Sequence, residues 1–175
     1  GKVQGVETLL QTAALLRDEP IYWHILGDGA NFEACVAYVA QHNLSNIVTL
    51  YGRRPLDEMP VFYAMADAML VSMRNDISVN DTLPGKVQSY MAAGKPILGS
   101  IAGETPYIVE QAKCGLCAPP DDADAFAQIV RAFITRNDQA AMGENAKQYY
   151  QQHFTKLGHM DKLETMLMKL CEESK

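Results

Sequence analysis

The sequence contains no long apolar run, only four cysteines and comparatively few basic residues. A membrane-spanning helix needs about 20 consecutive apolar residues, and no stretch of this chain reaches that length. Four cysteines in 175 residues are too few for a small secreted scaffold that is held together by disulfides. Such sparse cysteine use is typical of a reducing compartment, and we expect a cytoplasmic protein.

The deficit of basic residues argues against a nucleic-acid partner. Fifteen Lys and Arg stand against 21 Asp and Glu, which gives a net charge of −6, whereas nucleic-acid binding needs a basic surface. The chain is 48% hydrophobic and 21% charged, as in an average soluble globular protein. The 175 residues therefore predict a single domain, residues 1–175, with a sizeable core.

Cys114 and Cys117 form the one Cys-x-x-Cys pattern of the sequence. A redox-active pair lies at the start of a helix, where the helix dipole lowers the pKa of the thiol. Here the pattern predicts a preceding helix that ends with Gly115 as its cap, followed by a strand over residues 116–118. A zinc site would need a second ligand pair, and none is evident. We interpret both cysteines as structural and expect no metal ion.

Short apolar strands alternate with helical patterns along the chain. The strands are predicted over residues 21–26, 47–51, 68–72, 95–100 and 116–118. Helices separate them, with expected caps at Asn31 and Thr105, and two further helices end the chain. Strands that are joined through helices form right-handed βαβ units. The predicted fold class is therefore α/β, an open doubly wound parallel sheet with helices on both faces.

Ligands bind such a sheet at the carboxyl ends of its strands. Residues 27–29, Gly-Asp-Gly, follow the first predicted strand and are suited to bring backbone N–H groups against a phosphate. A dinucleotide fingerprint would need a third glycine where Phe32 stands, and an acidic residue after the second strand, which is missing. The pattern therefore disfavours a dinucleotide and leaves open either a phosphate contact or an ordinary turn.

Residues 81–97 combine a polar loop, a helix that begins at Pro84 and ends at Gly94, and a return to a strand. The backbone N–H groups at the start of that helix point toward the carboxyl edge of the sheet and favour an anion. Lys86 lies within the first helical turn and adds positive charge there. An ordinary solvent-exposed lysine is the alternative interpretation.

Six segments, taken in order, resemble the retaining family-four glycosyltransferases of the GT-B fold. They are residues 25–29, 48–53, 66–71, 84–86, 90–97 and 115–120. They cover nearly the whole chain and correspond to the C-terminal, donor-binding domain of that family, a Rossmann-like half of the GT-B fold. The Leu-Pro-x-Lys opening and the Tyr-Met-Ala-Ala-Gly-Lys-Pro run are similar to the branch that builds bacterial capsule, O-antigen lipopolysaccharide and exopolysaccharide.

The resemblance implies a hexosyltransferase that transfers a sugar from a nucleotide-sugar donor, most often a UDP-sugar, to a polysaccharide or lipid-linked acceptor. The family works without a metal, so no cofactor is expected, and helix dipoles with basic side chains offset the charge of the leaving diphosphate. The implied site comprises Asp81, Thr82 and Leu83 for the donor sugar, Gln4, Gly27, Gly29 and Lys86 for phosphate, and Gly52, Arg53, Pro84 and Ser89 for the nucleoside. No catalytic residue is assigned within this domain.

The chain departs from the family pattern at two places in the implied site. Asp81 and Ser89 stand where the family has two glutamates, so recognition of the ribose at Ser89 lacks a charge. Gln4 stands where the family has a phosphate-binding lysine, and Lys2 or Lys86 is expected to supply the missing charge.

The resemblance also implies an N-terminal, acceptor-binding domain that precedes this domain in the full-length protein. Residues 1–5 resemble a loop between a strand and a helix, so the first strand of the domain is expected upstream. Any contact with a membrane surface would come through the N-terminal domain. The final helix carries an apolar stripe that packs either on that domain or on this one. Two alternatives to the transferase remain, a non-catalytic nucleotide-binding module and a nucleotide-sugar epimerase of the same fold.

Overall fold

The computed structural model describes residues 4–75 and 83–173, and helices alternate with strands over this part of the chain. The helices are α1 (Val6–Leu15), α2 (Phe32–Gln41), α3 (Met59–Met65), α4 (Gly85–Ala92), α5 (Glu104–Gln111), α6 (Ala123–Ile134), α7 (Gln139–His153) and α8 (Lys156–Glu173), with a 3-10 turn at Leu56–Glu58 before α3. The strands are β1 (Trp23–Ile25), β2 (Val48–Leu50), β3 (Met69–Ser72), β4 (Ile97–Ser100) and β5 (Gly115–Ala118).

All strand pairs are parallel, which confirms the predicted α/β class. β1 pairs with β2, with Trp23 opposite Val48. β4 lies between β3 and β5, with Ile97 opposite Met69 on one side and Gly115 on the other. Within the described residues these pairings form a two-stranded and a three-stranded sheet rather than one continuous sheet. In this part of the chain, every strand except β4 therefore keeps one edge without a strand partner, β1 and β3 among them.

Apolar side chains on opposite faces of the strands pack into two cores. The first core lies under α1, α2 and α6 and joins the two sheets, because Trp23 and Val48 share it with Leu98. The second core lies under α4, α5 and α7 and contains Val71 and Ile97. Neighbouring residues of β4 thus point to opposite cores, as expected for a strand that is buried on both faces. The resulting layers of helix, sheet and helix are those of a doubly wound fold.

Two of the expected helix caps are wrong. α2 does follow Asn31, but the side-chain amide of Asn31 donates to Oε1 of Glu7 (2.7 Å) and does not cap its own helix. A bond to a carboxylate is stronger than a neutral one, and it outweighs the local capping preference. α5 begins at Glu104 because Gly103, with a φ of 81°, turns the chain into the helix. Thr105 therefore lies inside the first turn, where it is fully buried.

The prediction that Gly115 caps a helix is also wrong. α5 ends before Lys113, which takes the left-handed conformation (φ 49°) that closes the turn. Gly115 begins β5, where a Cβ atom would collide with the carbonyl oxygen of Ile97.

Burial raises the pKa of Cys114 and of Cys117 to about 12. Both thiols therefore stay protonated, which agrees with a structural role.

The last helix, α8, exposes an apolar stripe. Met160, Leu163, Met166 and Leu170 are each at least half exposed, although they recur at helical spacing. This exposure favours the interpretation that the stripe packs on the N-terminal domain. Among the described residues, no helix is both long enough and apolar enough to cross a membrane.

Candidate functional site

The loops that follow β1 and β2 meet at the carboxyl edge of the two-stranded sheet. The backbone N–H of Gly27 donates to the carbonyl oxygen of Gly52 (2.8 Å). Gly27 has a φ of 130° and Gly52 a φ of 65°, conformations that glycine adopts without strain. Gly29 is exposed in the same turn, and its carbonyl oxygen accepts the N–H of Phe32 where α2 begins (2.8 Å). The predicted phosphate turn therefore lies beside the predicted nucleoside loop.

Two neighbouring arginines follow β2, and one of them is engaged. The guanidinium of Arg54 lies 5.7 Å from the ring centre of Tyr51 and 4.0 Å from a carboxylate oxygen of Glu58. Tyr51 is held by a 2.9 Å hydrogen bond between its hydroxyl group and Nδ1 of His24. Arg53 is exposed and forms no hydrogen bond or ion pair with any residue that the structure describes. Arg53 is therefore the cation of this loop that is available to a ligand.

The start of α1 lies against the carboxyl end of β3. Ser72, the last residue of β3, donates from its hydroxyl group to the carbonyl oxygens of Gln4 (2.8 Å) and Gly5 (3.1 Å). The backbone of Gly5 also packs closely against that of Met73. These contacts place Gln4, a predicted phosphate residue, at the carboxyl edge of the three-stranded sheet.

The first turn of α4 carries a lysine in a partly buried position. Pro84 precedes the helix, and its carbonyl oxygen accepts the N–H of Val87 (2.9 Å). No described side chain caps α4, so backbone N–H groups of its first turn remain available to an anion. Burial lowers the pKa of Lys86, and no described carboxylate lies within ion-pair distance of it. An anionic ligand would stabilise this desolvated charge.

The other predicted residues of this region differ in their surroundings. Ser89 is exposed further along α4. Leu83 is half-buried, and its side chain packs against the second core. Asp81 and Thr82 lie outside the described residues. The side chain of Leu83 therefore helps to fix the start of α4 and does not form an exposed contact.

A polar cluster that the sequence did not predict links the loops of the two sheets. Glu7, in the first turn of α1, accepts a hydrogen bond from Asn31 (2.7 Å) and pairs with Arg74 (3.1 Å). Asp121 accepts the backbone N–H of Asn75 (2.9 Å). Glu7, Arg74 and Asp121 line a cleft of about 310 Å³. Because Asn31 follows β1 and Arg74 follows β3, the loops of both sheets meet around Glu7. One sequence signal could have indicated this cluster, because Arg74 and Asp121 each come shortly after a predicted strand.

The polar groups at this edge do not form a metal centre within the described chain. Among residues 4–75 and 83–173, no three histidine, cysteine, aspartate or glutamate side chains are grouped so that they could hold a metal ion. The expectation that no metal or other cofactor takes part stays a prediction.

Known proteins share the sequence pattern of this chain. Residues 1–149 match the family described as glycosyl transferases group 1. The chain is 27% identical over 177 residues to the probable glycosyltransferase WbjE of Pseudomonas aeruginosa, an alignment that covers 100% of the chain and 44% of WbjE. It is 29% identical over 140 residues to the putative colanic acid biosynthesis glycosyl transferase WcaI of Escherichia coli (strain K12), covering 75% of the chain and 32% of WcaI.

The fold is also shared with a solved structure. Alr3699/HepE from Anabaena, crystallised in complex with UDP and glucose, superposes with a TM-score of 0.81 at 18% identity, over 96% of this chain and 45% of HepE. The chain thus spans less than half the length of these proteins. The match to the family covers most of the chain and confirms the resemblance to family-four glycosyltransferases with the GT-B fold. The chain belongs to the glycosyl transferases group 1 family.

Proposed function

We propose that this chain is the donor-binding domain of a hexosyltransferase that takes a UDP-sugar and passes the sugar to a polysaccharide or lipid-linked acceptor. The observation that carries the proposal is a partly buried Lys86 at the start of α4, which forms no ion pair with a described carboxylate. It occurs in a member of this family whose glycine loops meet at Gly27 and Gly52. Support comes from the UDP and glucose bound to HepE and from the colanic acid pathway named for WcaI.

The nucleoside binds between the loop after β2 and the exposed face of α4. Gly52 offers backbone groups at a position without a side chain, and Arg53 donates hydrogen bonds to oxygens of the base or ribose. Pro84 borders the start of α4. Ser89 offers a hydroxyl group to a ribose hydroxyl, and this contact carries no charge, in contrast to the glutamate of the family pattern.

The diphosphate binds at the start of α4, where Lys86 and the backbone N–H groups that no described side chain caps provide positive charge. Gln4 and the glycine turn over residues 27–29 contact the same group, and Asp81, Thr82 and the backbone of Leu83 contact the sugar. When the bond between the sugar and the diphosphate breaks, negative charge develops on the leaving group. The helix dipole and the ammonium group stabilise that charge without a metal ion.

The acceptor binds to a second, N-terminal domain of the full-length protein, which also supplies any catalytic base. Relatives more than twice as long as this chain support that organisation. The exposed stripe of α8 gives such a domain an apolar surface to contact, and the first strand of this domain, upstream of α1, would pair with the open edges of β1 and β3. The protein works in the cytoplasm and binds no nucleic acid, and any contact with a membrane surface comes through the N-terminal domain.

Calorimetric titration of the protein with UDP and with NAD tests the donor assignment. We expect saturable binding of UDP and none of NAD. Binding of NAD alone would identify a dinucleotide site, and binding of neither would leave a non-catalytic module as the better account. Incubation with a UDP-sugar in the absence of an acceptor separates the third possibility, because a transferase forms no epimer of the sugar.

A further inference from the structure

The aromatic ring of Phe32 lies beside the loop that follows β2. Phe32 is the first residue of α2 and is half-buried. A Cβ atom placed on Gly52 would lie 3.9 Å from Cζ of this ring. Side chains of a helix lean toward its N-terminus, and α2 begins at the carboxyl edge of the sheet, shortly after β1. The ring therefore reaches into the region where the glycine loops meet.

Neither core of the domain contains this ring. α2 contributes Cys35 and Val39 to the first core, whereas Phe32 belongs to neither core. Within the described part of the chain, no aromatic ring stacks on Phe32. The other four phenylalanines pack in or against a core or a ring: Phe126 and Phe133 in the first core, Phe154 against the second, and Phe62 against Tyr51 (5.0 Å between ring centres). Phe32 therefore keeps apolar ring surface for a ligand.

The surroundings of the ring suit a nucleobase. Gly52 has no side chain to lie against the ring, so this side of it stays open. Arg53, the next residue, is exposed and offers N–H donors to polar atoms. A base has planar faces that stack on aromatic rings and an edge with hydrogen-bonding atoms. The base is therefore the part of a nucleotide-sugar that matches both Phe32 and Arg53.

We propose that Phe32 binds the nucleobase of the donor by stacking on it, with Arg53 at the edge of the base. This inference rests on the proposed function for its ligand. The base is common to UDP and to every UDP-sugar, so the ring contributes equally to their affinities. Stacking is tolerant of the kind of base. Phe32 therefore strengthens binding of the nucleoside without selecting among bases.

The aromatic face is tested by Phe32→Leu, which keeps an apolar side chain that favours a helix and removes the ring. Phe32→Tyr keeps the ring and serves as the rescue variant. Tyr38→Leu is the matched control, because Tyr38 is half-buried further along the same helix, where it stacks on His42 (4.0 Å between ring centres). A general effect of losing a ring from α2 would appear in both leucine variants, whereas loss of a stacked base appears in Phe32→Leu alone.

Calorimetry with UDP and with UDP-glucose measures the contribution of the ring. We expect Phe32→Leu to bind both ligands about tenfold more weakly, by the same factor. Phe32→Tyr and Tyr38→Leu are expected to keep the native affinities. Native affinity in Phe32→Leu, or an equal loss in the two leucine variants, would overturn the inference. A loss for UDP-glucose alone would also overturn it, because the ring would then contact the sugar.

Nuclear Overhauser contacts locate the base in the native protein without any substitution. In the complex with UDP, we expect contacts between the ring protons of Phe32 and the carbon-bound protons of uracil. Those uracil protons should also shift upfield, because they lie over the face of an aromatic ring, and Phe32→Leu should abolish the shift. If the native protein binds UDP without these contacts, the inference fails and the proposed function stands. If the native protein binds neither UDP nor UDP-glucose, both fail.

Discussion

The backbone N–H of Gly27 donates to the carbonyl oxygen of Gly52 across 2.8 Å, and this bond joins the loops after β1 and β2. Both residues have a positive φ, which an alanine would adopt at a cost of about 1–2 kcal/mol. The junction therefore depends on glycine at both positions, and the proposed phosphate and nucleoside contacts depend on the junction.

Alanine at Gly52 tests this dependence. We expect Gly52→Ala to lower Tm by several degrees, on the scale of about 2–4 °C for each kcal/mol, and to weaken binding of UDP. Gly85→Ala is the matched control, because Gly85 lies in the first turn of α4 and a Cβ atom there meets no described atom within 4 Å. This control should keep or raise Tm, since alanine favours a helix over glycine by about 0.5–1 kcal/mol. Equal effects of the two changes in a thermal melt would contradict the account of the junction.

Removal of the Lys86 charge is expected to weaken UDP binding on the order of tenfold, because a hydrogen bond to a charged group contributes about 1.5–3 kcal/mol. Lys86→Met keeps most of the buried aliphatic stem, so the loss reflects the charge and not the packing. Lys169→Met, at an exposed position on α8, is the control and should bind UDP normally. Calorimetry measures the dissociation constants of the three proteins for UDP. Native affinity in Lys86→Met would show that Lys86 does not contribute to the binding site.

Donor binding should also depend on pH through Lys86. Burial lowers the pKa of this ammonium group in the free protein, and a bound diphosphate raises it again, so binding takes up a proton. Affinity is therefore highest while Lys86 is charged, and it falls as the pH rises through the lowered pKa. Calorimetry of UDP-glucose binding in buffers of different ionisation enthalpy measures the proton uptake. The uptake should vanish in Lys86→Met, and its persistence there would assign it to another group.

The two cysteines of the Cys-x-x-Cys pattern are expected to resist alkylation in the native protein. Burial raises the pKa of Cys114 and Cys117 to about 12, and the thiolate is the reactive form. At pH 8 both should remain unmodified by iodoacetamide until the protein is unfolded. Peptide mass spectrometry locates the label. Rapid modification of both residues under native conditions would instead favour a redox role.

Local sequence patterns predicted the elements that border the site. The apolar run before Ser100 predicted a strand, and β4 forms there and is buried on both faces. Pro84 and Gly94 predicted both ends of α4 to within two residues, because a proline at the start of a helix and a glycine after its end are local signals. The division of the described strands into two sheets lay beyond prediction from apolar periodicity, which does not report which strands pair.

The polar cluster around Glu7 could not be predicted in this way. Glu7, Asn31 and Arg74 lie far apart in the sequence. They meet because the start of α1, the start of α2 and the loop after β3 come together in the fold. The same tertiary contact explains the incorrect cap, since the carboxylate of Glu7 takes the Asn31 side chain away from α2. At such positions the local capping preference competes with a tertiary contact. The sequence pattern indicates only the local preference.

The central claim is that a UDP-sugar contacts the loops after β1 and β2 together with the start of α4. Titration of the isotopically labelled protein with UDP-glucose, followed through backbone amide chemical shifts, tests it most directly. We expect the largest shifts at Gly27, Gly52 and Lys86, and none along α8. Saturable shifts confined to other surfaces, or no shifts at any concentration, would contradict the account.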